Sequence, residues 1–158
     1  MSLPDPQELQ MVLDLKAALL TIAILSGFYH DVAAEAVKLD ANADIETLIG
    51  ENQQRPFILV NVLPETRSYS PAKRVDVTTP IDIHFVQEPT DPDDETRLRT
   101  YLCGCADIEK AIALDVSRGG HAIDTVVLSH ELLPLSGSSL VWAVIHTQVR
   151  SRRVYGAP

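Results

Sequence analysis

Two runs of neighbouring polar residues carry the side-chain types that acid–base or nucleophilic catalysis uses. His30 and Asp31 are adjacent, and Ser129, His130 and Glu131 follow one another. A catalytic triad needs its nucleophile, base and acid to converge on one point, whereas successive side chains of an extended chain point to opposite faces. Neither run can converge in this way, and we predict that the chain is not an enzyme and has no catalytic residue.

Cysteines and histidines are the next candidates, as metal ligands. Cys103 and Cys105 lie two residues apart in a segment with helical periodicity, about 200° around the axis, so they cannot share a metal ion. This spacing places Cys105 in the core and Cys103 at its margin. The five histidines show no ligand spacing, and no phosphate loop, dinucleotide fingerprint or nucleophile elbow is present. We therefore predict neither a metal nor a cofactor.

The densest group of carboxylates is Asp91, Asp93, Asp94 and Glu95. Such a group can bind a divalent cation, but it lacks the glycine and the remote bidentate glutamate of a calcium loop. A helix start explains the acids better, because negative charge is favoured at the positive end of the helix dipole. The pattern predicts Asp91 as the N-cap, Pro92 at the first helical position, and Asp94 reaching back to the cap.

A strand and the helix that follows it, residues 75–114, position these acids. The strand alternates apolar and polar residues, which places one set against a core: Val75, Val77, Ile81, Ile83 and Phe85. Apolar residues then recur at spacings of three and four, the pattern of a helix lying on a sheet: Leu98, Tyr101, Leu102, Cys105, Ile108, Ala111 and Ile112. Gly104 beside this stripe predicts a close approach of the helix backbone, and residues 117–120 predict the helix end.

The first helix has the same start signal, with Asp5 as N-cap, Pro6 at the first position and Glu8 two residues later. From residue 17 to residue 25 the sequence loses its polar face. A helix that is hydrophobic all round is buried all round. In a small domain another subunit can cover the outer face, so we predict an oligomer, with Ile22 and Ile24 as interface candidates.

The remaining segments are mostly strands. We predict a short strand or hairpin arm at residues 28–38, helical turns at 44–50, an interior strand at 56–63, a loop at 64–71, and strands at 122–132 and 140–152 joined by a turn at 136–139. This order predicts an α+β fold, with a largely antiparallel sheet of four to five strands packed by two main helices. Residues 1–158 then form a single domain.

Charge and hydropathy limit the partners. The net charge of 13 minus 22, or −9, disfavours nucleic-acid binding. No apolar run reaches the ~18 residues of a membrane span, and no signal peptide is recognisable, so we expect a cytoplasmic protein with reduced cysteines. Residues 1–115 carry nine basic and twenty acidic residues, and residues 116–158 carry four and two. The acidic part of one copy could meet the basic end of the next, or both could be solvated surface.

Four segments resemble the tail terminator (tail completion) proteins of long-tailed bacteriophages and prophages. They are residues 27–31 after the first helix, residues 55–60, the strand at 75–85 with the acids at 91–94, and the closing Val-Arg-Ser-Arg-Arg-Val-Tyr-Gly at 149–156. The resemblance implies an α+β subunit that assembles into a ring, typically a hexamer. That ring stops polymerisation of the tail tube and offers its other face to the head connector.

The resemblance therefore implies assembly rather than catalysis, in the host cytoplasm and then in the virion tail, with the tail tube protein and the head–tail connector protein as partners. It makes Arg150, Arg152 and Arg153 interface candidates. The excess of acid, and not the resemblance, adds Asp91, Asp93 and Asp94 as candidates for stacking against neighbouring rings. The alternative is a small cytoplasmic α+β enzyme or ligand-binding domain with a pocket near Asp82, His84 and His146.

Overall fold

The chain folds around one open β-sheet with helices packed against it. The computed structural model describes residues 6–40, 44–51, 54–135 and 138–154. Its α-helices are α1 (Gln7–Leu19), α2 (Ile45–Glu51) and α3 (Asp94–Ala113), with 3-10 turns at Ile24–Ser26 and Ala34–Ala36. The strands are β1 (Val37–Asp40), β2 (Phe57–Val62), β3 (Thr66–Ser70), β4 (Arg74–Gln87), β5 (Asp124–Leu133) and β6 (Val141–Val154).

The sheet has the strand order β1-β2-β4-β6-β5, and β3 pairs with the first part of β4. β1 and β2 are parallel, and the other pairs are antiparallel. The fold is therefore α+β with a largely antiparallel sheet, as the sequence predicts. The described residues contain six strands rather than four or five.

The main core lies between the sheet and the pair α1 and α3. The five apolar residues of β4 predicted to share a face are all buried, and Ile81, Ile83 and Phe85 among them belong to this core. Leu15 and Leu19 of α1 are fully buried against the same core, each contributing about 1.5–3 kcal/mol. Gly104 lets α3 approach the sheet, because a Cβ there would lie 2.6 Å from Phe85 Cδ1.

A smaller core covers only one end of the opposite sheet face. It packs Ile49 of α2 against buried residues of β2, β4 and β6, which are Phe57, Leu59, Val86, Trp142 and Val144. The first half of β6 is thus buried on both faces, as its unbroken apolar sequence predicts. Beyond this cluster the second face is open, and we call it the open face. Its side chains include Asp76 and Asp82 of β4 and Arg150 and Arg152 of β6.

The prediction that residues 17–25 form an all-apolar second half of the first helix is wrong. Helix α1 ends at Leu19, because the amides of Thr21 and Ile22 bond the carbonyls of Ala18 and Leu19 and tighten the last turn. Ala23 is extended, with φ −151° and ψ 141°, before the 3-10 turn. Helix α1 begins at Gln7, with Pro6 preceding it rather than inside it. The predicted cap Asp5 lies outside the described residues.

The predicted start of α3 is two residues early. Asp93, not Asp91, is the N-cap, and its carboxylate accepts the Thr96 N–H at 2.7 Å and the Thr96 hydroxyl at 2.9 Å. Thr96 thus decides the boundary, because it offers two donors to a cap at residue 93. The helix ends before residues 117–120, with Leu114 as its C-cap. Gly119 and Gly120 both have left-handed φ angles in the turn beyond it.

Two further predictions about local structure need correction. The segment expected as a loop at residues 64–71 contains β3, whose five residues are all exposed and so show no apolar periodicity. The segment at residues 28–38 is a strand only from Val37. Its beginning cannot join a sheet, because the Tyr29 and His30 amides donate to the Asp107 carboxylate at 2.8 and 3.0 Å. The predicted turn at 136–139 lies partly outside the described residues, which omit 136 and 137.

A buried arginine ties the two main helices together. The side chain of Arg118 has no exposed surface, and its Nη2 donates to the carbonyl of Ile112 near the end of α3 at 2.7 Å. Its Nη1 lies 3.6 Å from Asp14 of α1. Burial lowers the pKa of Arg118, and the nearby Asp14 opposes that shift. This clamp fixes the distance between α1 and the far end of α3.

Candidate assembly interface

Two of the three predicted interface arginines lie on the open face in cross-strand ion pairs. Arg150 binds the Asp124 carboxylate of β5, with Nε 2.8 Å from Oδ1. Arg152 binds Asp76 of β4, with distances of 2.6 and 3.2 Å. These hydrogen bonds lower the pKa of Asp76 and of Asp124. Both arginines are thus committed to acids of their own chain.

Arg153 lies on the other sheet face, toward the helices. It forms an ion pair with Glu8 of α1, and its Nη2 lies 3.6 Å from Glu65 before β3. It ties the start of α1 to the end of β6. The three arginines therefore do not form one basic patch, and their role in an interface stays a prediction.

The predicted apolar candidates separate. Ile22 is 1% exposed and belongs to the main core, so it cannot offer a surface to another copy. Ile24 is 55% exposed on the 3-10 turn. The acidic candidates Asp91, Asp93 and Asp94 are all exposed at the start of α3. Asp93 is occupied as the cap, and its bonds with Thr96 lower its pKa.

The alternative pocket residues meet on the open face. His146 Nδ1 lies 2.7 Å from Asp82 and its Nε2 lies 2.9 Å from Glu131, so both carboxylates raise the pKa of His146. His84 is buried beside them, its Nδ1 accepts the Trp142 indole N–H at 3.0 Å, and burial lowers its pKa. Two surface grooves lie away from these histidines, one beside Leu9 and Val62 and one beside Leu98 and Leu102.

Sequence reasoning missed two polar contacts of α3. Asp107 is 2% exposed and also lies 2.8 Å from His30 Nδ1. The sequence signal for this contact is an acid beside the apolar stripe of α3, because a carboxylate buried there requires hydrogen-bonding partners. Tyr101 Oη lies 2.5 Å from His130 Nδ1 of β5. No group of three or more potential ligands close enough to hold a metal ion occurs in the described part of the chain.

One side of α3 overlooks strand β5. Residues of an α-helix advance by about 100°, so Leu98, Leu102 and Glu109 fall within about 40° of one another. Glu109 lies 3.9 Å from His130 Nε2, which places this side of the helix toward β5. The leucines that the stripe predicts as core are in fact exposed, Leu98 by 52% and Leu102 by 47%.

Strand β5 itself is an open edge of the sheet. Its partner among the described strands is β6, so half of its backbone groups point outward. Leu128 and Leu132 are 61% and 41% exposed along it. We call β5 together with Leu98 and Leu102 the β5 edge surface. It combines unpaired backbone groups with exposed leucines.

The edges of this sheet differ in how they are protected. β1 has four residues and carries Lys38 and Asp40, and β3 has five residues and carries Arg67. β5 has ten residues, carries Asp124 and Glu131 but no lysine, arginine or proline, and has one irregularity between Val127 and Ser129. Short length, lysines and prolines are among the usual means of preventing edge pairing. β5 is the longest of these edges and lacks all three, so it is the edge with most room for another chain.

Comparisons with known proteins leave the family open. No protein-family model matches the chain, and no curated protein sequence matches it. Among solved structures, it is similar to a chain of a structure described as "Virion of native gene transfer agent (GTA) particle", over 88% of this chain and 92% of that one, with 10% identity and a TM-score of 0.46. A likeness this weak does not discriminate between functions. No helix of the described residues is long and apolar enough to cross a membrane.

Proposed function

We propose that this protein is a structural subunit of a phage or prophage tail. Copies join into a ring that caps the tail tube, stops its polymerisation and meets the head connector. The proposal rests on the sequence resemblance to tail terminators and on one structural observation, the unprotected β5 edge surface. It makes the protein an assembly factor rather than an enzyme.

The physical argument concerns what an open edge does in solution. A long edge strand with exposed leucines and no lysine, arginine or proline is a surface on which another chain can pair unless it is covered. In a functional oligomer the covering chain is a second copy. If β5 binds a different surface of the next copy, the contact is head to tail, and such a contact closes into a ring when the rotation permits.

The test is the molecular mass in solution. We expect sedimentation velocity to show a species heavier than the monomer that grows with protein concentration, alone or after addition of the tail tube protein. Electron microscopy of that species should show closed rings. A single monomeric species at every concentration and salt, with and without the tube protein, would overturn the proposal.

A matched pair of variants locates the contact. Leu128→Lys places a charge on the β5 edge, and we expect association to weaken about ten- to hundredfold, the equivalent of one lost leucine burial. Leu114→Lys is the control, since Leu114 is 62% exposed and lies about 160° around α3 from Leu98. Both variants should keep the monomer's circular dichroism. Equal weakening by both would remove the β5 edge surface as the carrier of the proposal.

A further inference from the structure

We infer that the β5 edge of one copy pairs with the β3 edge of the next, so that one sheet continues from subunit to subunit. This inference rests on the proposed function and names the two surfaces that meet. Strands β3 and β5 lie at opposite edges of the same sheet. Strand β4 pairs with β6 along its whole length, so β3 occupies the other side of β4, while β5 lies beyond β6.

The direction of the strands suits such pairing. β3 is antiparallel to β4, β4 to β6, and β6 to β5. β3 therefore runs opposite to β5. Copies repeated side by side with their helices on the same sheet face would place β5 and the next β3 as antiparallel neighbours. All five residues of β3 are exposed, and its five residues fit within the ten of β5.

Charge favours pairing of β5 with β3 over pairing of two β5 edges or of two β3 edges. Residues 65–74 contain Glu65, Arg67, Lys73 and Arg74, a net of +2, with Arg67 bound to the Glu65 carboxylate. Residues 124–133 contain Asp124 and Glu131 and no lysine or arginine, a net of −2. Two β5 edges would bring acids together and two β3 hairpins would bring cations together, and like charges across paired strands are destabilising. The sequence thus opposes a symmetric dimer through either edge.

The side chains that would meet are also complementary. Arg67 and Tyr69 of β3 lie opposite Val77 and Val75 of β4, so they project toward the helix side of the sheet. Leu98, Leu102 and Glu109 of α3 stand on that same side, above β5. α3 runs opposite to β5, because Gly104 packs on Phe85 at the level of Leu132 while Val116 accepts from Thr125. The next copy's β3 would run the same way as α3. A continued sheet would therefore set the aliphatic stem of Arg67 toward the two leucines and the hydroxyl of the 60% exposed Tyr69 toward Glu109.

Cysteine cross-linking tests the pairing at serine positions. Ser68 and Ser70 of β3 and Ser129 of β5 are exposed, and they share the open face with Asp76, Arg74 and His146, their cross-strand partners. We replace them by cysteine in a Cys103→Ser background. Cys105 can stay, because burial raises the pKa of its thiol to about 12. Using Ser68 and Ser70 in turn covers a register shift of two residues.

We expect a mixture of Ser129→Cys with Ser68→Cys or Ser70→Cys to give dimers with a short bis-maleimide, and a chain with both changes to give a ladder up to the ring. Each single variant alone should give none, nor should Ser129→Cys mixed with Ser26→Cys, an exposed control on the 3-10 turn. If Ser129→Cys cross-links to itself, or assembled rings give no β3–β5 product, this inference is overturned while the proposed function stands. A protein that stays monomeric by mass overturns both.

Discussion

At the scale of single residues, Gly104 shows how a missing side chain sets the position of a helix. Gly104→Ala would drive a methyl group into the ring of Phe85, which is itself buried. We expect a loss of about 1–3 kcal/mol in the free energy of unfolding, because the overpacking outweighs the better helix propensity of alanine. Denaturant titration measures it.

The chain supplies its own control for that substitution. Gly50 is also helical, but a Cβ there would meet nothing within 4 Å. Gly50→Ala should therefore show only the propensity gain, about 0.5–1 kcal/mol of added stability. A gain in stability from both alanines would mean that α3 does not pack against Phe85 as described.

Two histidines on the open face should make the stability of the fold respond to pH in opposite directions. His146 has a pKa raised above its ordinary 6.5 by Asp82 and Glu131, so its native state holds a proton that the unfolded state releases. Its stabilisation is complete below pH 6.5 and is lost as pH rises through the higher native value. Burial lowers the pKa of His84. Stability from neutral His84 is therefore present above pH 6.5 and is lost as pH falls toward the lower native value.

We therefore expect a stability maximum near pH 6.5, measured by denaturant midpoints between pH 5 and pH 8.5. His146→Gln should flatten the alkaline side and His84→Gln the acid side, whatever their effect on the absolute stability. Unchanged slopes in His146→Gln would show that its carboxylate contacts do not persist in solution.

At the scale of elements, the start of α3 separates two neighbouring aspartates. Asp93→Ala should lower the melting temperature, because the Thr96 amide and hydroxyl lose their acceptor, whereas Asp91→Ala should leave it unchanged. The pKa of Asp93 is lowered by the same bonds, so its contribution is present above about pH 3.9 and is lost as pH falls. If the alanine at position 91 is the more damaging, the helix begins where the sequence pattern alone places it.

Elements with a strong periodicity could be predicted from sequence, and those defined by a partner could not. The alternation in β4 and the apolar run in β6 identified both strands and their buried faces. β3 has no buried residue, and only its pairing with β4 makes it a strand. Leu98 and Leu102 fit the helical stripe of α3, yet they are exposed because the sheet ends at β5 beneath them.

At the scale of the whole molecule, the sequence and the fold point to different surfaces as the candidate interface. The uneven charge along the sequence pointed to Arg150, Arg152 and Arg153 as interface residues. In the fold, each of them forms an ion pair with an acid of the same chain. Reversing all three charges would break these internal pairs as well as any contact between copies. An open sheet edge is a property of strand order, which a single sequence does not display.

Assembly through that edge predicts that thermal stability depends on protein concentration. A partner that binds only the native state adds stability that grows with the logarithm of its concentration. Under conditions where the mass shows assembly, each tenfold increase in concentration should raise the melting temperature by on the order of 3 °C. Leu128→Lys should show this dependence only at about ten- to hundredfold higher concentrations, while Leu114→Lys should keep the parent's dependence. If the parent melts at one temperature while it is assembled by mass, its copies associate without stabilising the fold, which strand pairing at the β5 edge does not allow.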